Sequence, residues 1–459
     1  MKSVLKGVMS LARACSRAVG AFNTPTCVMR CWLLCLAAVG VRSVAISGPV
    51  AIEDAQEALW KFVSPQGVLY DYLGEVPTPE DCAECRPNGV GYWSPLENGP
   101  MFTGPFLQAM VLRARRTKSA QDKERCRVLA EGLIRAASVS EVPGFVCRGM
   151  GSDGKCHYPI GGCDQTTPWF LGLDAYLHSE FCAGDFKLRI VAKMREVGEA
   201  LAGNNWSAPA EGVFQKERPS DLRIQSLPFR GAVQYLFILR VLADATGEPK
   251  WKEEYLRARD GKYQRKGSEH LTRLEICEAG CGRDAEMKKG FKVNPTGLWI
   301  YVGCAQGCLA ALADREEEAD VARRYRNGLE KSAAYVRSAM ETSKLYPNVA
   351  ERPLKYAQWR AGWTWRAQST LAEVMAAANK TNANWKLLGN RKTLERRTVT
   401  APLSAAAICA YAGLCGDEVM KTLRHYDYST IALSEFYAAP LAYELLLSAV
   451  DRKQKGTSK

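Results

Sequence analysis

Histidine is scarce in this chain: four residues in 459, widely dispersed. A site built on clustered imidazoles has little to draw on, and Cys82-x-x-Cys85 has no second pair at ribbon or finger spacing. We therefore expect neither a metal nor a cofactor. No stretch alternates apolar and polar residues for long enough to make a large sheet. No basic stripe carries interleaved aromatics, which argues against a nucleic-acid partner. No unit recurs at a fixed period, which argues against a regular solenoid. Acids are missing from the first 45 positions, where Lys2, Lys6, Arg13, Arg17, Arg30 and Arg42 stand alone. Without those six, the formal charge of +13 falls to +7, spread among acids on solvated helix faces. A modest positive field suits an anionic substrate.

An acid-free start is also what an export signal requires. Cys31 to Val41 (CWLLCLAAVGV) has the length of a signal's apolar segment, and Ser43-Val44-Ala45 offers small residues at both cleavage-determining positions. The segment falls short of the roughly 20 residues of a membrane-spanning helix. The expectation is a signal peptide or leader over 1–45, one domain over 46–450 and a disordered basic tail over 451–459. The protein is then exported, to the periplasm or the exterior. It meets a membrane only if the leader is retained as an anchor. Export permits disulfides. Cys147, Cys156 and Cys163 crowd one loop, where a bridge would add rigidity.

What the chain has in quantity is helix. Apolar segments (Phe102 to Arg116, Trp169 to Ser179, Pro228 to Thr246, Leu298 to Ala313, Pro402 to Ala412, Ile431 to Val450) alternate with amphipathic ones such as Lys123 to Ser138 and Phe186 to Ala202. A helix that is apolar all round belongs inside, and an amphipathic one belongs outside it. Some twelve helices in this order predict an all-α fold, a ring of six inner helices wrapped by six outer ones. A short strand is expected only at Val68 to Tyr72.

The central stretch from Gly144 to Ser179, GFVCRGMGSDGKCHYPIGGCDQTTPWFLGLDAYLHS, holds most of the chemistry. Its first half is too rich in glycine for a regular element. Its second half reads as a helix capped by Thr166 or Thr167, with Pro168 at the first position. Asp164 then stands just before a helix start, where capping alone would explain it. Arg148, His157, Tyr158, Gln165 and Trp169 lie close to it in sequence. In a ring of hairpins, every loop entering an inner helix opens at one end. Those loops carry Glu97, Asp164, Arg230, Trp299, Tyr301, Arg360, Trp363, Trp365, His425 and Tyr426, whereas the opposite loops are short and plain. Aromatic faces suit sugar rings. Two carboxyl groups suit glycosidic chemistry, one as acid and one as base or nucleophile.

The helix order, the loop GMGSDGKCHYPIGGCDQTTPWFLGL and the earlier SPLENGPMFTG resemble the six-hairpin glycosidase superfamily. The nearest likeness is to the unsaturated uronyl and rhamnogalacturonyl hydrolases and their bacterial relatives. The resemblance implies an (α/α)6 toroid and an aspartate, at the place of Asp164, that acts as general acid/base on an unsaturated uronic acid. The expectation is thus an exported glycoside hydrolase acting on an acidic oligosaccharide or polysaccharide. Asp164 and Glu97 would be catalytic. Arg148, His157, Tyr158, Gln165, Arg230, His425 and Tyr426 would bind the sugar, with Trp169 and Trp363 stacking on it. Three alternatives stay open. An epimerase would pair His157 with His425, a lyase would use Tyr158 beside His157, and a glycan-binding protein would leave both carboxylates as helix caps.

Overall fold

The computed structural model describes residues 52–73, 95–212, 214–217, 228–262, 270–284, 297–349 and 389–456, with a few isolated positions besides. The leader, the Cys82/Cys85 pair, and the loop bearing Arg360, Trp363 and Trp365 lie outside these residues. The described chain is all-α, and none of its residues forms a strand. The segment expected as a strand at Val68 to Tyr72 makes only the isolated bridges Val63–Leu69 and Tyr72–Leu433. No helix among the described residues is long and apolar enough to cross a membrane.

In chain order the helices are α1 (Glu53–Trp60), α2 (Gly99–Thr117), α3 (Ala120–Ala136), α4 (Cys163–Leu177), α5 (Gly184–Gly203), α6 (Phe214–Glu217), α7 (Pro228–Thr246) and α8 (Pro249–Asp260). They continue as α9 (Arg273–Ala279), α10 (Leu298–Tyr301), α11 (Gly307–Arg315), α12 (Ala319–Val336), α13 (Gly389–Glu395), α14 (Ala401–Tyr411), α15 (Gly416–Leu423) and α16 (Ala438–Gly456). Two single π-turns interrupt the pattern, Val302–Gln306 between α10 and α11 and Arg396–Thr400 between α13 and α14.

Composition sorts these helices. In α4 nearly every side chain is buried, and α2, α7 and α14 are similar. In α5 only Ile190, Met194, Val197, Gly198 and Leu201 are buried, one stripe at three- and four-residue spacing. The buried helices contact one another in sequence: α2 packs on α4, α4 on α7, α7 on α11, α10 and the adjoining π-turn on α14, α14 on α16, and α16 on α2. The striped helices lie against them, α3 on α2, α5 on α7, and α12 on α11 and α14. Each large aliphatic or aromatic side chain buried this way contributes about 1.5–3 kcal/mol of transfer free energy.

The tightest approach is between α2 and α4. A Cβ on Gly104 would collide with the Pro168 carbonyl, and one on Gly172 would lie 2.7 Å from the Cα of Gly104. Glycine at these two positions lets the two helices pack backbone to backbone. Helix α4 begins earlier than expected, with Gly162 as its N-cap and Pro168 inside it. Thr166 donates its hydroxyl to the Gly162 carbonyl and does not cap the helix. Pro168 has no N–H to give the carbonyl four residues back, that of Asp164. The thiol of Cys304 takes that role, 3.7 Å away.

Candidate functional site

The residues that gather at one end come from the segments entering the buried helices. Gly99 donates its N–H to the Arg148 carbonyl at 2.7 Å, and a Cβ there would lie 2.7 Å from the same oxygen. Gly149 faces the Leu96 carbonyl just as closely, at 2.5 Å from a notional Cβ. Two glycine contacts thus clamp the loop before α2 against the loop before α4. Glu97 and Arg148 are the side chains delivered.

Arg148 meets Asp164 through both terminal nitrogens, at 3.3 and 3.4 Å, and its Nη1 also donates to the Glu97 carbonyl at 3.4 Å. Gly162 makes room for this pair, because a Cβ there would overlap Asp164 Oδ1 and lie 3.0 Å from Arg148. The N-cap is Gly162, which has no side chain to cap with, and the Asp164 carboxylate is directed to Arg148.

Glu97 is buried, and its Oε2 has no hydrogen-bond partner among the described residues. Burial drives its proton affinity up, Arg148, Arg396 and Lys392 pull it back, and Asp164 adds to the rise, leaving its pKa at about 7. Lys392 is displaced the opposite way. Burial and Arg396 lower it to about 7, against Glu97, Glu435 and Asp71. An acid and an amine thus both titrate near neutrality in one cluster, the pattern that marks proton-transfer sites.

Further groups complete the cluster. Arg396 forks onto Glu435 Oε1 at 2.7 and 2.5 Å, and Thr400 donates to Oε2 of the same carboxylate at 2.9 Å. The Arg396 guanidinium also lies 5.5 Å from the centre of the Trp299 ring. Trp299 is half-buried and packs edge-on against Phe102. Asp71, fully buried, takes both donors of Asn98, the backbone N–H at 2.8 Å and Nδ2 at 2.7 Å. Gln165 is buried and links Asn98 Oδ1 to the Met101 N–H, each at 3.3 Å. Both π-turns lie here, one carrying Arg396 and the other following Trp299, which is where such turns often occur.

The expected residues divide into two sets. Glu97, Asp164, Arg148 and Gln165 come together. Arg230 joins them from the start of α7, since its charge acts on Cys163 and Cys304, which flank Asp164. His157 lies elsewhere, buried beside Phe145 with Nε2 2.9 Å from Glu211. Burial alone would raise Glu211, but His157 and Ser140 hold it below its ordinary value. Tyr158 packs with Ile160, Ala210 and Phe214. Trp169 has no exposed surface and donates to the Leu133 carbonyl at 2.7 Å, so it is a core side chain with no face to offer a sugar. Tyr426 is likewise buried, its hydroxyl on the Thr398 carbonyl at 2.6 Å. His425 lines a separate cleft of about 570 Å³ with Arg337, Glu418 and Lys421. Trp363 lies outside the described residues.

Sequence reasoning missed Asp71, Lys392, Arg396 and Glu435. Glu435 was hidden inside an assumed helix, Ile431 to Val450. That helix starts only at Ala438, after a 3₁₀ turn over Ser434–Tyr437. Cys147 and Cys163 are free thiols, so no bridge joins the three loop cysteines to one another, while Cys156 is disulfide-bonded. Among the described residues no group of three or more His, Cys, Asp or Glu side chains could hold a metal ion. Compared with known proteins, the chain matches no family model, no curated protein and no solved structure.

Proposed function

We propose that the chain is a glycoside hydrolase of the six-hairpin kind, an (α/α)6 toroid that cleaves an acidic, uronic-acid-containing glycan. The order of helix contacts, each buried helix on the next and α16 on α2, supports the toroid. The observation that carries the activity is Glu97, a buried carboxyl with a pKa near 7 and an unpartnered oxygen, joined to Asp164 through Arg148. A carboxylic acid that keeps its proton at neutral pH can deliver it to a leaving glycosidic oxygen. Asp164, ion-paired and more exposed, acts as base or nucleophile from the other side of the bond.

Arg148, Arg230, Arg396 and Lys392 supply the positive charge that an anionic sugar requires. Trp299 offers the apolar face. The disulfide at Cys156 accords with export. The epimerase and lyase readings lose support, because His157, Tyr158 and His425 have their partners away from this cluster.

The test is a reducing-end assay of the chain without its leader on acidic oligosaccharides, with and without a 4,5-unsaturated terminal sugar. Turnover should fall about 1,000-fold in Glu97→Gln and in Asp164→Asn. Loss of ultraviolet absorbance alongside sugar release marks the unsaturated-uronyl class. Binding without turnover in the wild type would overturn the hydrolase reading in favour of glycan binding.

A further inference from the structure

Asp71 is a buried carboxylate that the mechanism above does not use. Asp71 stands on the segment before α2, and three strands of chain converge on it. Its two carboxylate oxygens are occupied by the N–H and the Nδ2 of Asn98, the residue after Glu97. Its own N–H donates to the Pro95 carbonyl at 2.9 Å. Its own carbonyl accepts the N–H of Ser434 at 2.9 Å and the Ser434 hydroxyl at 3.2 Å. Ser434 is the residue before Glu435.

We propose that Asp71 is the positioning residue of this site: its side chain fixes the loop that carries Glu97, and its main chain fixes the turn that carries Glu435. The proposal rests on the hydrolase reading for its catalytic meaning, but its geometry does not. One residue thereby ties Glu97, Arg396's partner Glu435 and, through Asn98, Gln165 of α4. A fixed acid is worth more than a mobile one, since an error of about 1 Å in a reacting group costs on the order of 100-fold in rate.

The arrangement also sets two buried acids against each other. Burial raises Asp71 well above its ordinary value, the charges of Glu97 and Glu435 raise it further, and the Asn98 donors offset this only in part. A charge on Glu97 therefore favours the proton on Asp71, and the two carboxyls do not ionise independently. The charged groups facing Glu97 are Asp71, Arg148, Asp164, Lys392 and Arg396, with Glu435 behind Arg396.

The experiment is a carbon-13 titration of the carboxyl groups in the full chain, with resonances assigned through Glu97→Gln and the Asn98 amide. In the wild type, Asp71 and Glu97 should both titrate well above an ordinary carboxyl. In Glu97→Gln the Asp71 midpoint should fall by about one unit, the size of one close charge. In Asp71→Asn turnover should fall about 100-fold with KM little changed, as a displaced Glu97 requires. An Asp71 that titrates as an ordinary aspartate, or an unmoved Asp71 midpoint in a folded Glu97→Gln, overturns the proposal. The wild-type titration decides even where the variant fails to fold. If wild-type turnover is absent but the midpoint shifts, the positioning role stands and the hydrolase reading falls.

Discussion

Two buried carboxylates in the same helix bundle have opposite fates. Asp174, near the C-terminal end of α4, is gripped by Arg315, with Nη1 at 2.9 Å from Oδ1 and Nη2 on Oδ2, and His178 Nδ1 stands 3.3 Å away. Burial alone would raise its proton affinity, but Arg315 and His178 overcome it and hold the carboxyl below its ordinary value. Glu97, at the other end, has three cations within electrostatic reach and no donor on Oε2, and it stays protonated to about pH 7. Burial is common to both, and direct hydrogen bonding is what differs. The rest of each end follows suit. Around Asp174, Arg116 forks onto Glu444 at 2.9 and 2.6 Å, and Arg115 bonds Glu180 at 3.1 Å. That end is built to stay closed. The Glu97 end holds groups poised to exchange protons.

The largest effect should come from breaking the paired end. Arg315→Ala leaves Asp174 buried and unpaired and should cost about 3–5 kcal/mol of stability in urea unfolding at pH 7. Glu97→Gln should do the reverse. A carboxyl whose pKa rises on folding from 4.5 to about 7 stabilises least above pH 7. Its variant should therefore gain on the wild type as the pH climbs from about 4.5 to about 7, by up to about 3 kcal/mol. An equal difference at pH 4 and pH 8 would break the comparison. The smallest effect on stability, under about 1 kcal/mol, is expected of Gly162→Ala. It pushes Asp164 off Arg148 and should lower turnover about 10- to 100-fold with the melting transition nearly in place.

Much of this was legible in sequence, and the parts that were not have physical reasons. Apolar and striped segments separate because burial imposes different periods on the two kinds of helix, so the order of α2, α4, α7, α11, α14 and α16 could be read directly. Glu97, Asp164, Arg148 and Gln165 could be read because each sits within a few residues of a helix start. Trp169 misled because a tryptophan beside a polar loop reads the same whether it faces a ligand or the Leu133 carbonyl. Thr166 and Thr167 misled because the start of α4 is set by Gly162 and by the Cys304 thiol covering the carbonyl that Pro168 leaves free. Lys392 and Arg396 were invisible. They lie in a charged run, KTLERR, which reads as a solvated face until the π-turn at Arg396–Thr400 is seen to bring it against Glu435.

The most direct test of the account is to ask which end binds sugar. The paired end also has a hollow, of about 450 Å³, lined by Arg115, Asp174, His178, Arg315 and Tyr411 among others. A uronic-acid-terminated disaccharide should be titrated into labelled protein while the indole of Trp299 and the guanidinium signals of Arg148, Arg396, Arg115 and Arg315 are followed. The account predicts that Trp299, Arg148 and Arg396 shift together with one dissociation constant while Arg115 and Arg315 stay still. Shifts confined to Arg115 and Arg315 would contradict it.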